Sequence, residues 1–362
     1  MTAEEKLYKD GTDLETQVFK CPNCGGKSVF SPENQKLKCL YCDTLFDIEG
    51  AEKVNENNID ELLSKGSVWK ETEVYQCNNC GAKQIIPKQG ISMHCSFCGT
   101  TNIVKTSEMS GLKPQGVVTF KIEKENASII ALKWIKRKWY APKKFKSSAN
   151  PENINGIFNP AFTFDSSTFS TYNGVLGKNH TTFRNVNGKT IAHTELRTFP
   201  IKGEHKSKFD DVLVQASESI PYGTLAKVEP FATNDAIKYK EAYLSGYVAS
   251  TYSKDGNFAW LEGQNIINRK VELQILSKYS YDVKVSFNLH TNFFETTYKY
   301  ILVPIYVGHY TYNQKLYNFF INGSNGKITG KYPISKWKVF FTILAGLILI
   351  GGAIAIYYLA SN

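Results

Sequence analysis

Eight cysteines carry the clearest chemistry in the chain: Cys21, Cys24, Cys39, Cys42, Cys77, Cys80, Cys95 and Cys98. They form two quartets of identical spacing, C-x2-C-x14-C-x2-C, and each cysteine of the second quartet lies 56 residues after its counterpart. Thiolates suit zinc, which takes four ligands in a tetrahedron. A C-x2-C pair sets two sulfurs on one tight turn, a knuckle. Gly25, Gly81 and Gly99 each follow a knuckle directly, where the absence of a Cβ eases the turn. The 14-residue spacer is long enough for a short hairpin that brings the second knuckle to the first. Four sulfur ligands leave no open coordination position, so each quartet reads as a structural rather than a catalytic Zn2+ site. The other readings are weaker. Disulfides would need an oxidising compartment. A redox C-x2-C motif would not recur four times in one register. Cys21-Pro22-Asn23-Cys24-Gly25 is similar to an iron knuckle of rubredoxin type, but rubredoxins separate their knuckles by more residues. His94 adjoins Cys95 and reads as a bystander, since four thiols complete that site.

The repeat extends beyond the cysteines. Phe19 and Tyr75, Asn23 and Asn79, Lys27 and Lys83, and Thr44 and Thr100 stand at equivalent places. The organisation expected is an N-terminal extension over 1–18, small β zinc ribbons over 19–48 and 74–104, and linkers over 49–73 and 105–116. In the first linker Asn58 is placed to cap a short helix carrying Ile59, Leu62 and Leu63, ended by Gly66. The N-terminus has no apolar run of signal-peptide type, which points to a reducing compartment for the thiols.

Residues 117–332 read as a soluble body. Its 21 Tyr and 22 Phe across the chain, with many Thr and Val, favour sheet. A helix is expected near Ala127–Trp139, where Ala127, Ile130, Ala131, Trp134 and Ile135 share a side. Strand-like runs occupy 161–164, 306–312 and 316–321, and turn signals at 313–315 and 322–326 make 306–330 a strand meander. A second helix is expected near Asp235–Thr251. Helices and strands do not alternate regularly, so the fold class is α+β. Residues 337–360 read as a transmembrane helix. Its centre, Val339–Leu359, holds 21 residues without a charge, about 30 Å as a helix.

The stretches CPNCGGKSVF and LKCLYCDT, repeated as CNNCGAKQII and MHCSFCGT, resemble zinc ribbons of the transcription-factor-IIB type. Body and tail resemble a group of bacterial membrane proteins that carry such ribbons, through NPAFTFDSSTFSTYNG at 159–174, AYLSGYVASTY at 242–252 and the run from Val303 to Lys338. The resemblance implies tandem N-terminal ribbons, an α+β body and a C-terminal anchor. Asp43 departs from the glycine usual after the fourth cysteine of a ribbon.

Charge divides the chain. Residues 1–112 hold 12 Lys and no Arg against 16 acidic residues, whereas residues 113–362 hold 31 basic and 17 acidic residues. Bound zinc with four thiolates adds further negative charge to each ribbon. Phosphate binding relies on clustered cations, so nucleic acid is disfavoured for residues 1–112 and a protein partner is favoured. The stretch 133–146 is different. It combines Lys133, Lys136, Arg137, Lys138, Lys143, Lys144 and Lys146 with Trp134, Trp139, Tyr140 and Phe145, and it has no acid. It reads as a solvated helix face, as a contact for anionic lipid, or as a contact for nucleic acid. No catalytic set emerges: His180, His193, His205, His290 and His309 are scattered, and Asp210–Asp211 reads as a surface pair.

The function expected is therefore non-enzymatic, a regulatory or scaffolding protein whose ribbons recruit a protein partner. The alternatives are a membrane-tethered nucleic-acid-binding protein and an enzyme with an unrecognised site. Lys331, Lys336 and Lys338 precede the apolar run and no Lys or Arg follows it. By the positive-inside rule the chain is single-pass and tail-anchored in the cytoplasmic membrane, N-terminus cytoplasmic and C-terminus outside. Trp337, Tyr357 and Tyr358 fall at the interfacial positions.

Overall fold

A computed structural model describes residues 19–64, 74–79, 82–85, 95–97, 103–105, 113–148, 154–186, 189–250 and 254–360. In chain order the elements are β1 (Ser28–Ser31), β2 (Lys36–Cys39), β3 (Leu45–Phe46), β4 (Asn57–Asn58), α1 (Ile59–Ser64), β5 (Val74–Cys77), β6 (Lys83–Ile85), β7 (Ile103–Lys105) and β8 (Gly116–Val117). There follow α2 (Lys124–Arg137), α3 (Lys143–Ser148), β9 (Ile154–Val186), β10 (Lys189–Gln215), α4 (Thr224–Val228), β11 (Ile237–Lys238) and β12 (Val248–Ser250). The last are α5 (Gly256–Leu276), β13 (Val283–Tyr312), β14 (Lys315–Asn322), β15 (Ile328–Gly330) and α6 (Lys336–Ala360). The class is mixed α+β, mostly sheet, as the irregular order of helical and strand-like runs implied.

Three very long antiparallel strands form the frame, with β9 between β10 and β13. Their sequence changes character along their length. From Ile157 to Phe164 every residue of β9 is buried, but from Asp165 to Tyr172 burial alternates with the period-two rise of a strand. Opposite it, β13 is buried almost continuously from Tyr298 to Val307 and mostly exposed before Glu295. The frame is thus covered on both faces at one end and on one face at the other. At the one-faced end α5 supplies the cover, burying Ala259, Trp260, Ile267, Val271 and Ile275. Gly263 permits the approach, because a Cβ there would stand 2.9 Å from the Phe164 ring. The change of character falls at two bulges, between Phe209 and Val212 in β10 and between Phe294 and Thr297 in β13.

The helix over 124–137 and the meander β13–β14–β15 match the sequence expectations. The helix expected over 235–251 does not form. That segment holds a short 3-10 turn at Glu241–Leu244, the left-handed Gly246 and strand β12. Its backbone groups are used across the fold rather than within a helix. The Phe30 amide donates to the Ser245 carbonyl oxygen at 3.0 Å, the Ser245 hydroxyl donates to the Ser28 carbonyl at 2.8 Å, and β12 pairs with both β6 and β9. The long helix lies further on as α5, capped by Asp255, whose carboxylate accepts from the Phe258 amide at 2.7 Å.

The segment after the first cysteine quartet is woven into the body. Lys53 bridges to Ile237, and Asn57–Asn58 pair with Thr297–Tyr298. Asn58 caps α1 as expected, accepting from the Asp60 amide at 3.0 Å, and Leu62 is buried against α5. Helix α6 is long and apolar enough to cross a membrane, with a mean hydropathy of 2.6 over an 18-residue window within Lys336–Leu359 and none of that window buried by protein.

Candidate metal centre and neighbouring charge clusters

The first quartet converges. Cys21 Sγ lies 3.6 Å from Cys42 Sγ and Cys24 Sγ lies 3.5 Å from Cys39 Sγ, so each close pair joins the two knuckles. All four sulfurs lie within 4.8 Å of one another. A tetrahedron of thiolates about 2.3 Å from a zinc ion would have sulfurs roughly 3.8 Å apart. The donor set therefore fits a metal ion. The knuckles are shaped locally. The Asn23 amide donates to Cys21 Sγ and the Tyr41 amide to Cys39 Sγ, both at 3.4 Å. Gly25 is left-handed, with φ +70°, as its place after the knuckle implied. Asp43, in the position where ribbons usually carry glycine, takes the same region at φ +57°, and its carboxylate pairs with Lys38 at 3.1 Å. An aspartate can adopt that conformation, so the turn survives the substitution.

The thiols of Cys42 and Cys24 are drawn in opposite directions. Thr44 draws the Cys42 thiol down to about 6 through its hydroxyl and its backbone. The Gly26 amide also draws on Cys24, but Cys42 and Cys39 outweigh it and push that thiol up to about 12. A metal ion held between the sulfurs would supply the charge that lets neighbouring thiolates coexist.

In the second quartet Cys77 and Cys95 are fully buried, while Cys80, Cys98 and His94 lie outside the described residues. The first knuckle repeats its counterpart. The Cys77 amide donates to the Ala82 carbonyl at 3.0 Å as that of Cys21 does to Gly26 at 2.7 Å, and the Gln76–Lys83 pair matches the Lys20–Lys27 bridge.

No protein-family model matches the chain, and no solved structure matches it. A curated relative does. The Uncharacterized protein YdjG of Bacillus subtilis (strain 168) is 29% identical over 334 residues, which cover 91% of this chain and 94% of the relative. The similarity runs along nearly the whole of both proteins.

The seven cations of 133–146 flank a turn, Trp139–Ala141, whose backbone is tied to the root of α6. Lys133, Lys136, Arg137, Lys143 and Lys144 are exposed. Lys138 is half-buried, its ammonium 4.4 Å from the Trp134 ring and 5.3 Å from the Tyr332 ring. Lys146 donates to the Lys136 carbonyl at 2.9 Å. Beneath them Ala127, Ala131, Ile135 and Phe145 enter the core, so the helix is amphipathic in the ordinary way.

Sequence reasoning missed a third cluster. Ligand oxygens of Glu56, Asp165 and Asp210 lie within 4.8 Å of one another at the bulges of β10 and β13. Asp211 is not a surface residue as expected. It is left-handed on the bulge, and its side chain is buried and paired with the buried Lys299 at 2.7 Å, while Lys299 also reaches Glu56 at 3.2 Å. Burial, with the hydrogen-bonded neighbours Asp210 and Glu56, pushes the Asp165 carboxyl up to about 7 against the pull of the Asp211 amide. The only advance signal was the charge of Lys299 within an apolar strand.

Among the scattered histidines, His205 Nε2 lies 2.9 Å from the Ser207 hydroxyl. Lys278 Nζ lies 2.9 Å from Nδ1 of the same ring. An ammonium can only donate, so Nε2 carries the proton of the neutral imidazole and cannot accept one from Ser207. The pair is not a nucleophile and its base.

Proposed function

We propose that the chain is a non-enzymatic recruiting or scaffolding protein, held by α6 at the cytoplasmic face of a bacterial membrane, with one structural Zn2+ ion in each cysteine quartet. One observation carries the reading: the second knuckle of the first module is presented to solvent. Leu40 is 59% and Tyr41 is 77% exposed, directly beside the sulfur quartet. Their equivalents 56 residues on are Ser96 and Phe97, which are 6% and 4% exposed. Two adjacent apolar side chains on a metal-stiffened turn suit a protein surface, where a rigid aromatic anchor loses little entropy on binding. The acidic balance of residues 1–112 favours protein over nucleic acid as the partner. The cations at Lys331, Lys336 and Lys338 support the cytoplasmic placement of everything before α6. Affinity purification of the full chain from detergent extracts, with and without nuclease, tests the reading. A protein should copurify with the wild type, survive nuclease and be lost from a Leu40→Ser/Tyr41→Ser variant that keeps its zinc. Loss on nuclease treatment alone would favour nucleic acid instead.

A further inference from the structure

We infer that residues 133–146, together with the root of α6, form a binding surface for anionic phospholipid headgroups; this rests on the reading that α6 spans a membrane. The ties between the two segments place the surface. Lys338 stands one residue before the uncharged run of α6. Its ammonium donates to the carbonyl oxygens of Trp139 and Ala141, each at 2.8 Å. Three residues earlier, the Ser335 amide donates to the Tyr140 carbonyl at 2.8 Å. The turn between α2 and α3 is therefore clamped to the level at which α6 would enter the hydrocarbon.

The side chains of this turn suit that level. Trp139 and Trp337 are each 72% exposed, an unusual state for indole in water but the favoured one at a headgroup boundary. Lys136 and Arg137 stand in the last turn of α2, with Lys133 one turn back, and Lys143 and Lys144 open α3. Among the described residues none of these five has an acidic partner, and no Asp or Glu occurs between Glu125 and Glu152. A face that only needed solubility would mix both signs. Five cations without acidic partners, spread over the last two turns of α2 and the start of α3, repel one another in water, and anionic headgroups within a Debye length of about 8–10 Å would relieve that repulsion. A nucleic acid would have to bring its own negative charge into the space beside an anionic leaflet, so lipid is the better occupant.

The test uses the full chain reconstituted into bilayers of phosphatidylcholine with a minor fraction of phosphatidylglycerol. Spin-labelled probes of each lipid report the fraction held at the protein. The wild type should hold the phosphatidylglycerol probe at least about twofold more than the phosphatidylcholine probe, a preference that high salt removes. Changing Lys133, Lys136, Arg137, Lys143 and Lys144 to Gln should abolish it. Changing Lys202, Lys206 and Lys208 on β10 to Gln should leave it intact. Equal retention of both probes by a wild-type protein that floats with the vesicles overturns the lipid surface but not the anchor. Failure to float overturns the anchor itself. Retention of a single-stranded oligonucleotide by the wild type on neutral bilayers, lost in the five-Gln variant and without lipid preference, would assign the cations to nucleic acid.

Discussion

The two cysteine modules descend from one sequence pattern yet enter the molecule by opposite ends. The first keeps a sheet of its own, β1–β2–β3, and docks through its strands, with Phe30 and Leu37 in the core beside Phe120 and Tyr243. Its second knuckle stays in solvent. The second joins the main sheet through β12 and buries Cys95, Ser96 and Phe97 at its second knuckle, with Phe97 in the core beside Val118 and Ile157. The hydrogen bond that closes the first knuckle is the same in both, because its two ends lie within a few residues. Sheet membership differs because it depends on partners far away in the chain. A duplicated local motif has thus been divided between a presented surface and a structural insert.

The largest effect should come from removing the proposed zinc. In isolated finger peptides structural zinc supplies about 10–16 kcal/mol of apparent folding free energy. On sequence alone the modules read as separable from the body, but Phe30 and Phe97 belong to the body's cores. Strong chelation should therefore raise protease sensitivity in residues 113–332 as well as in the modules. An unchanged body digest after complete zinc loss would show two independent beads and break the comparison.

Next in size are the knuckle aromatics. Phe97→Ala should cost about 3–5 kcal/mol in denaturant unfolding, because it empties a packed site. Tyr41→Ala should stay within about 0.5 kcal/mol, as for other exposed substitutions. Equal losses at the two positions would contradict the opposite docking of the modules.

A smaller effect concerns the segment that joins the modules, where Glu56 meets Asp165 and Asp210. The Asp165 carboxyl is raised in the folded state from 3.8 to about 7. A raised carboxyl pKa contributes stability that is complete in acid and lost as pH rises from about 4 through about 7. Asp165→Asn should remove that slope and stabilise the protein at pH 8 by about 1–2 kcal/mol, after allowing for solvent screening of a half-exposed group. Urea midpoints at pH 5 and pH 8 measure it, and a variant with the wild-type slope would exclude Asp165 as its source. Asn58→Ala, which removes the cap of α1 in the same segment, should cost only about 1 kcal/mol. A loss of 3 kcal/mol or more there would mean that the segment holds the modules together rather than merely joining them.

Features closed within a few residues were legible in advance. The cysteine spacing named the first quartet, Asn58 named the start of α1, and the uncharged run named α6. The period of Ala127, Ala131 and Ile135 placed α2 to within three residues. Features closed by distant partners were not. Residues 235–251 have helix-compatible composition, but Ser245 and β12 are claimed by strands about 90–220 residues away. Asp210–Asp211 looked like any acidic pair, because the bulge that turns Asp211 inward toward Lys299 is a property of strand pairing. The basic stretch was visible as charge, whereas its clamp to Lys338 joins positions nearly 200 residues apart.

The order of the long strands has a consequence for how the chain is made. Strands β9 and β10 form one hairpin and can pair as soon as both leave the ribosome. The other edge of β9 must wait for β13, which ends 97 residues after β10 does. At synthesis rates of about 5–20 residues per second, that edge stays open for roughly 5–20 s. An unpaired edge of this length is a template for pairing with other chains. Only five residues separate β13's meander from α6, since β15 ends at Gly330 and α6 starts at Lys336. Sealing of the sheet and delivery of the apolar helix are thus nearly simultaneous, and any delay in one leaves the nascent protein exposed to aggregation through the other.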